Sequence, residues 1–113
     1  MPAKTSVQQS HALIGEYARQ YELKYKRKPR LNRYRERWGF ESMIEDLGYD
    51  RAKQVIAFYF NTENAEHPVN SLLNNYDRLD RSLEELEKDL EERRKLRQET
   101  ARRVAEWEKH VQQ

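Results

Sequence analysis

The sequence contains no cysteine and few residues that interrupt a helix. Its 113 residues include three glycines and three prolines. Without cysteine, disulfides, thiolate catalysis and cysteine-based zinc sites are excluded, which fits a reducing compartment. No apolar run approaches the length of a transmembrane helix, and residues 1–10 lack the apolar core of a signal peptide. We therefore expect an intracellular, cytoplasmic protein without membrane association, in the host cytoplasm if the source is viral.

Residues with the spacing of a catalytic or metal site are also missing. The three histidines are His11, His67 and His110, and they show no metal-ligand spacing with one another. Glycine-rich phosphate loops are absent, and no serine is paired with a base. We therefore expect a protein that is not an enzyme and that requires no cofactor and no metal.

The composition predicts a small core and a large solvated surface. Hydrophobic residues make up 36% and charged residues 37% of the chain, against about 45–50% and about 25% in an ordinary globular domain. The turn dipeptides that mark β-hairpins are absent, and the scarcity of glycine and proline favours long helices. The predicted fold class is all-α, with a small basic helical bundle as a head, followed by one long coiled-coil-type helix.

Four helices are predicted in the head, residues 1–62. Pro29, Gly39 and Gly48 are natural interruptions, and Asp50 is a good cap for the last of the four. The predicted helices run from Ser6 or Ser10 to about Lys26, from Leu31 to Trp38, from Phe40 to Leu47, and from Arg51 to about Asn61.

Helical spacing also predicts which side chains face inward. In the first helix, Tyr17, Tyr21 and Tyr25 form a stripe that we interpret as packing against the rest of the head. In the second, two groups of residues are predicted to share one face each. The inward group is Leu31, Tyr34 and Trp38, and the outward group is Arg30, Arg33 and Arg37.

A polar linker at residues 63–68 is predicted to separate the head from the tail, residues 69–113. The stretch from Thr62 to Pro68 offers nothing to bury. In the tail, apolar residues recur in alternating steps of four and three, which is the heptad pattern of helices that pack on helices. The predicted oligomerisation residues are Leu72, Tyr76, Leu79, Leu83, Leu86, Leu90, Val104 and Trp107. They predict a homodimer or higher oligomer.

The middle of this heptad row is polar, with Arg93, Arg97 and Thr100. The row ends near Leu90 in the first interpretation, and a solvated helix continues with pairs such as Glu91–Lys95 and Glu99–Arg103. Alternatively, Leu96 shifts the stripe by one position, or the helix bends and folds back.

Charge is distributed unevenly along the chain. Residues 1–60 hold twelve Lys and Arg against seven Asp and Glu, whereas residues 61–113 hold ten against thirteen. Eight of these cations fall in the basic segment, residues 24–37, with Glu36 as its one acid. Such a segment can neutralise phosphates, and interleaved aromatic rings can stack on unpaired bases. The predicted nucleic-acid-binding residues are Lys24, Lys26, Arg27, Lys28, Arg30, Arg33, Arg35, Arg37, Tyr34 and Trp38.

Part of the head resembles a known group of proteins. The run from Tyr21 to Tyr34, followed by Trp38-Gly39-Phe40 and by Asp46-Leu47-Gly48-Tyr49, is similar to small bacteriophage proteins associated with replication genes. The resemblance covers roughly residues 13–60 and carries no catalytic residues. It implies support of DNA replication or recombination, such as helicase loading or single-strand handling.

The predicted function is a nucleic-acid-binding accessory protein that contacts backbone phosphates through the head and self-associates through the tail. DNA is favoured over RNA, and Arg33 and Arg37 are expected to matter more for binding than the tail residue Arg102. In the alternative, the chain is a coiled-coil adaptor, assembly factor or inhibitor, and the basic segment meets an acidic protein surface. A solvated basic face without a partner is the remaining possibility.

Overall fold

The computed structural model describes residues 6–111, which form four α-helices and no β-strand. Their bounds are α1 (Ser6–Tyr25), α2 (Arg33–Leu47), α3 (Tyr49–Asn61) and α4 (Val69–Val111). The predicted all-α fold with a long C-terminal helix is therefore confirmed. The outermost residues of the predicted head and tail, 1–5 and 112–113, lie outside the described residues.

The chain divides into two compact units. The first unit extends to Asp80 and the second begins at Arg81, so the first turns of α4 belong to the first unit. Within this unit α1 packs against both α2 and α3, and α2 contacts α3. The second unit consists of the remainder of α4.

The core of the first unit is formed by apolar and aromatic side chains from all four helices. Its fully buried members include Leu13, Ile14, Phe40, Met43, Ala52, Val55, Ile56 and Leu72. Each large side chain removed from water in this way contributes roughly 1.5–3 kcal/mol. Tyr17 and Tyr21 are also buried, which confirms that the stripe of α1 packs inward at these two positions.

Gly39 does not end a helix, contrary to the sequence-based prediction. The two predicted helices on either side of it are one continuous helix, α2. A Cβ atom at Gly39 would lie 2.6 Å from the Cδ1 of Leu73 in α4. The glycine therefore lets α4 approach α2 closely, and its role in packing outweighs its low helix propensity.

The prediction that Tyr34 and Trp38 are buried is also wrong, because these side chains are 85% and 63% exposed. The buried face of α2 instead carries Glu36, Phe40 and Met43. The helix begins only at Arg33, where the side chain of Asn32 accepts hydrogen bonds from two backbone N–H groups. Arg30 precedes the helix and therefore does not continue a row of arginines along it.

Gly48 ends α2 as predicted, and its backbone explains why glycine is needed. Its φ of 84° and ψ of 158° lie in a region that is almost restricted to glycine. The next helix, α3, starts at Tyr49, so Asp50 lies in its first turn and Gly48 occupies the capping position. The prediction of Asp50 as the cap is therefore wrong by two residues.

The stretch from Thr62 to Pro68 contains a buried residue, contrary to the expectation that it offers nothing to bury. The side chain of His67 is 1% exposed. The backbone at Glu66 and His67 is left-handed, with φ of 64° and 44°, a conformation that is uncommon for residues other than glycine. Surrounding contacts must hold it in place.

The second unit carries many charges and several exposed apolar side chains. Its intrahelical ion pairs join Glu84 to Lys88, Asp89 to Arg93, Glu91 to Arg94, and Glu99 to Arg103. The predicted Glu99–Arg103 pair is thus present, whereas Glu91 pairs with Arg94 rather than with Lys95. Each exposed pair contributes only about 0.3–0.5 kcal/mol. Between residues 6 and 111, no helix is sufficiently long and apolar to cross a membrane.

Candidate nucleic-acid interface

The basic segment covers the end of α1, the connection between α1 and α2, and the first turns of α2. The chain turns immediately after α1, where Lys26 has a φ of 60° and its N–H donates to the carbonyl of Glu22 at 2.9 Å. The eight cations are consequently distributed over two helix ends and a connection, so they do not form one helical face.

Three of these cations have partners within the chain. The Nζ of Lys24 donates to the carbonyl of Phe60 at 2.9 Å, where a cation stabilises the C-terminal end of α3. Arg35 forms an ion pair of 3.0 Å with Glu36. Arg37 Nε lies 3.5 Å from a carboxylate oxygen of Glu41, without hydrogen-bond geometry.

The other five cations have no anionic partner among the described residues. They are Lys26, Arg27, Lys28, Arg30 and Arg33. All five are exposed. The guanidinium of Arg27 lies 5.9 Å from the ring centre of Tyr21 and 6.0 Å from that of Tyr25, within the range of a cation–π contact. These five residues are therefore available to an external anion.

Half of the basic segment's cations meet at one cavity of about 620 Å³. The lining cations are Arg27, Lys28, Arg30 and Arg35. Another wall, at residues 66–70, is lined by Glu66, Pro68, Val69 and Asn70, of which Glu66 and Asn70 contribute polar groups. Tyr17 and Tyr21 of α1 also line it. Positive charge, hydrogen-bonding groups and aromatic rings thus surround one concave site.

A buried carboxylate stands beside this cavity. Glu36 is only 5% exposed, and its Oε1 accepts hydrogen bonds from Nε and Nη2 of Arg35 at 3.2 and 3.0 Å. It occupies the first turn of α2, where the helix dipole favours negative charge. Glu36 therefore compensates much of the charge of Arg35, which lines the cavity.

The wall at residues 66–70 is held in place by tyrosine hydroxyls. Tyr17 donates to the carbonyl of His67 at 2.6 Å, and Tyr59 donates to the carbonyl of Pro68 at 2.7 Å. Burial raises the pKa of Tyr17 well above its usual range and that of Tyr59 to about 12. A phenol keeps its proton at neutral pH even with its usual pKa of about 10, so both hydroxyls can donate, and burial only strengthens this.

The ring of His67 fixes the same wall from within. Its Nε2 lies 2.8 Å from the carbonyl of Thr62, and a carbonyl can only accept, so Nε2 carries the proton. In the neutral ring Nδ1 then accepts from the hydroxyl of Tyr25. The ring also stacks on Phe60, with centres 5.2 Å apart. A residue in an apparently polar linker is thus part of the support of the site.

Two exposed aromatic side chains lie close in sequence to the unpaired cations. Tyr34 and Trp38 are one helical turn apart on α2, and both are largely exposed. The guanidinium of Arg37 lies 4.9 Å from the ring centre of Trp38, so that cation is shared between Trp38 and Glu41. Tyr34 and Trp38 present aromatic surface on which bases could stack.

The residues predicted to mediate oligomerisation fall into two groups. Leu72 is completely buried in the first unit, and Tyr76 donates a hydrogen bond to Asp46 of α2, while Leu79 is half-buried. Contacts within the chain thus use the beginning of the row, and Leu72 in particular is not accessible to a second chain. The members in the second unit are Leu83, which is half-buried, and the exposed Leu86, Leu90, Val104 and Trp107.

Sequence reasoning identified the cations of this site but missed its wall at residues 66–70. The residues Glu66, Asn70, Tyr17 and Tyr21 were not assigned to it, because only the fold brings them to the basic segment. The left-handed Glu66 and His67 had no glycine to mark the turn. Among the described residues, no group of three or more histidine and acidic side chains is placed to hold a metal ion.

Comparison with protein families, with curated proteins and with solved structures finds no match. The site is therefore interpreted from its own geometry and charge.

Proposed function

We propose that the chain is a nucleic-acid-binding accessory protein whose first unit contacts backbone phosphates. One observation carries the proposal: five cations of the basic segment have no anionic partner among the described residues, and three of them line a single cavity. Uncompensated cations bind phosphates and release the counterions condensed on the strand. The exposed rings of Tyr34 and Trp38 favour strands with unpaired bases, since a duplex hides the base faces.

The decisive measurement is binding to labelled single- and double-stranded oligonucleotides over a range of salt concentrations. With five phosphate contacts, the logarithm of the affinity should fall with the logarithm of salt concentration with a slope of about −3.5 on single strands and about −4.5 on duplex. Charge reversal by Arg33→Glu should reduce the magnitude of this slope by about one unit or more.

A matched variant distinguishes binding at the basic segment from a general attraction between positive charges of the protein and the strand. Arg102 is exposed like Arg33 but lies in the second unit, so Arg102→Glu should change affinity and slope much less. Equal losses in both variants would contradict the proposed surface. Trp38 fluorescence in a Trp107→Phe background would report stacking, because no other tryptophan is then present. No binding even at low salt would exclude the function.

We further propose that the second unit pairs with a second copy of the chain as a parallel, in-register coiled coil. Its heptad row leaves Leu86, Leu90, Val104 and Trp107 exposed, and a second copy would cover this apolar surface. In such a coil, a g residue faces the following e residue of the other chain. The facing pairs in which both residues are charged are Asp89 with Arg94 and Arg103 with Glu108 of a second copy. In the other two facing pairs, Ser82 lies opposite Glu87 and Leu96 lies opposite Ala101.

The pairing charges support this orientation, because both charged pairs are attractive and none is repulsive. Within one chain, Asp89, Arg94 and Arg103 already form ion pairs along the helix, but these pairs are exposed and weak. Replacing them by ion pairs with the second copy therefore costs little free energy. Arg93 and Arg97 would meet their own copies in the interior and weaken the pair, although long arginine stems can direct their charge to water.

The absence of cysteine provides a direct test of this arrangement. Leu86→Cys places a thiol in the interior of the proposed coil, where parallel chains bring the two thiols together, so mild oxidation should give a disulfide-linked dimer. Arg102→Cys lies on the outer face of the helix and should remain monomeric on a denaturing gel. Sedimentation showing only monomers at high protein concentration would overturn the proposal.

In the alternative function, the chain is an adaptor, and the same five cations bind an acidic surface of another protein. It becomes the better explanation if the chain self-associates but binds no oligonucleotide.

A further inference from the structure

We propose that the cavity between the basic segment and residues 66–70 binds a phosphate monoester. The group could be the terminal phosphate of a nucleic-acid strand or the phosphate of a free nucleotide. For the strand end, this inference rests on the proposed function. It goes beyond that function, because a site for a monoester would distinguish the terminal phosphate of a strand from the internal phosphates.

The charge of the cavity matches a monoester better than an internal phosphate. Its four cations are opposed by Glu66 in the wall and by Glu36 on Arg35, which leaves two positive charges. A phosphate monoester carries about −1.5 to −2 charges at neutral pH. An internal phosphodiester carries only one negative charge, and it would leave one of these cations uncompensated.

The donor groups also suit a group with several free oxygens. Arginine guanidiniums offer forked pairs of N–H donors to phosphate oxygens, and lysine adds a compact charge. Arg27, Lys28 and Arg30 have no anionic partner among the described residues, so binding need not break an existing ion pair. The amide of Asn70, on the wall at residues 66–70, offers a further donor.

The shape and support of the cavity indicate a prepared site. Its volume of about 620 Å³ lies within the range of roughly 300–1,000 Å³ found for small-ligand sites. Hydrogen bonds from Tyr17 and Tyr59 hold the wall at residues 67 and 68. Because this wall is ordered before the ligand arrives, less conformational entropy is lost on binding.

The experiment compares single-stranded oligonucleotides of identical sequence that end in a 5′-phosphate, a 3′-phosphate or hydroxyl groups only. A nucleoside monophosphate, the corresponding nucleoside and inorganic phosphate are titrated separately. One of the phosphorylated strands should bind about tenfold more tightly than the hydroxyl strand, the effect of one further charge-assisted hydrogen bond.

Two neighbouring arginines provide the matched variants. Arg30 lines the cavity, whereas Arg33 does not, and both are exposed without an anionic partner among the described residues. Arg30→Gln should abolish the preference for the phosphorylated end. Arg33→Gln should weaken all strands alike and keep the preference. Circular dichroism checks that both variants retain their helices.

The outcomes separate this inference from the proposed function. If all strands bind equally and the nucleoside monophosphate does not bind, the monoester site is excluded and nucleic-acid binding stands. If only the nucleoside monophosphate binds, and Arg30→Gln abolishes this, the site stands with a free nucleotide as its ligand and the proposed function fails. If neither class binds, both proposals are overturned.

Discussion

The eight cations of the basic segment differ in what they already contact. Lys24 stabilises the end of α3, and Arg35 and Arg37 lie beside carboxylates. In the sequence these residues carry the same charge as the five that have no anionic partner within the described chain. The contacts that each cation makes within the chain therefore divide the eight into three that interact with the fold and five that are available to a ligand.

This division predicts opposite effects for two neighbouring arginines. Arg35→Gln leaves the buried carboxylate of Glu36 without its guanidinium, and an unpaired buried charge is costly, so the free energy of unfolding should fall by about 1–3 kcal/mol. Arg33→Gln removes an exposed cation that has no anionic partner in the described part of the chain, and it should change the free energy of unfolding by no more than about 0.5 kcal/mol.

Urea unfolding at neutral pH, with all proteins at the same concentration, measures both effects. With strands that end in hydroxyl groups, which leave the cavity without its proposed phosphate, oligonucleotide binding should show the reverse order for the two variants, with the larger loss for Arg33→Gln. Equal stability of Arg35→Gln and the unaltered protein would show that Glu36 does not depend on this pair.

At the scale of the helices, two glycines decide how the elements of the first unit meet. Gly48 allows α3 to start after a single residue that follows the end of α2, and Gly39 allows α4 to approach α2. The sequence pattern treats both as interruptions, because a glycine required for close packing looks the same as one required for a turn. The helix bounds predicted around Gly48 were nearly correct, whereas those around Gly39 were wrong.

A third glycine provides the control for a stability prediction. Gly48→Ala forces a side chain into a backbone region that is almost restricted to glycine, so the free energy of unfolding should fall by about 1–3 kcal/mol. Gly15 lies inside α1, and a Cβ atom added there would meet no atom within 4 Å. Gly15→Ala should therefore stabilise the protein by about 0.5–1 kcal/mol.

Thermal and urea unfolding of the two variants would measure both changes. Their opposite signs are the essential result. A neutral Gly48→Ala variant would mean that the junction between α2 and α3 can adopt another backbone conformation at little cost.

At the scale of the whole molecule, the proposal combines a binding unit with a pairing unit. A dimer carries two copies of the basic segment, and two linked binding surfaces can engage one strand with a higher apparent affinity than either alone. The advantage exists only when the strand is long enough to reach both surfaces. Strand length therefore distinguishes a dimeric binder from a monomeric one.

A charge-matched pair of variants tests this coupling. Leu86→Lys places a cation in the interior of the proposed coil, whereas Gln98→Lys adds the same charge on its outer face. Leu86→Lys should lower the affinity for a long strand by about a hundredfold and leave the affinity for a short strand unchanged. Gln98→Lys should retain both affinities.

Fluorescence anisotropy with short and long labelled strands gives the two affinities, and sedimentation gives the oligomeric state. A Leu86→Lys variant that is monomeric, yet binds long strands as tightly as the unaltered protein, would separate pairing from binding and contradict the coupling.

The sequence by itself determined the all-α class, the long C-terminal helix and the concentration of cations before residue 38, because periodicity and composition are local properties. Only the tertiary structure decided that Tyr34 and Trp38 face outward and that His67 is buried. It also brought residues 66–70 to the basic segment and gave Lys24 a partner in α3. Such outcomes depend largely on contacts between residues 36 to 50 positions apart, and these arise only when the helices pack.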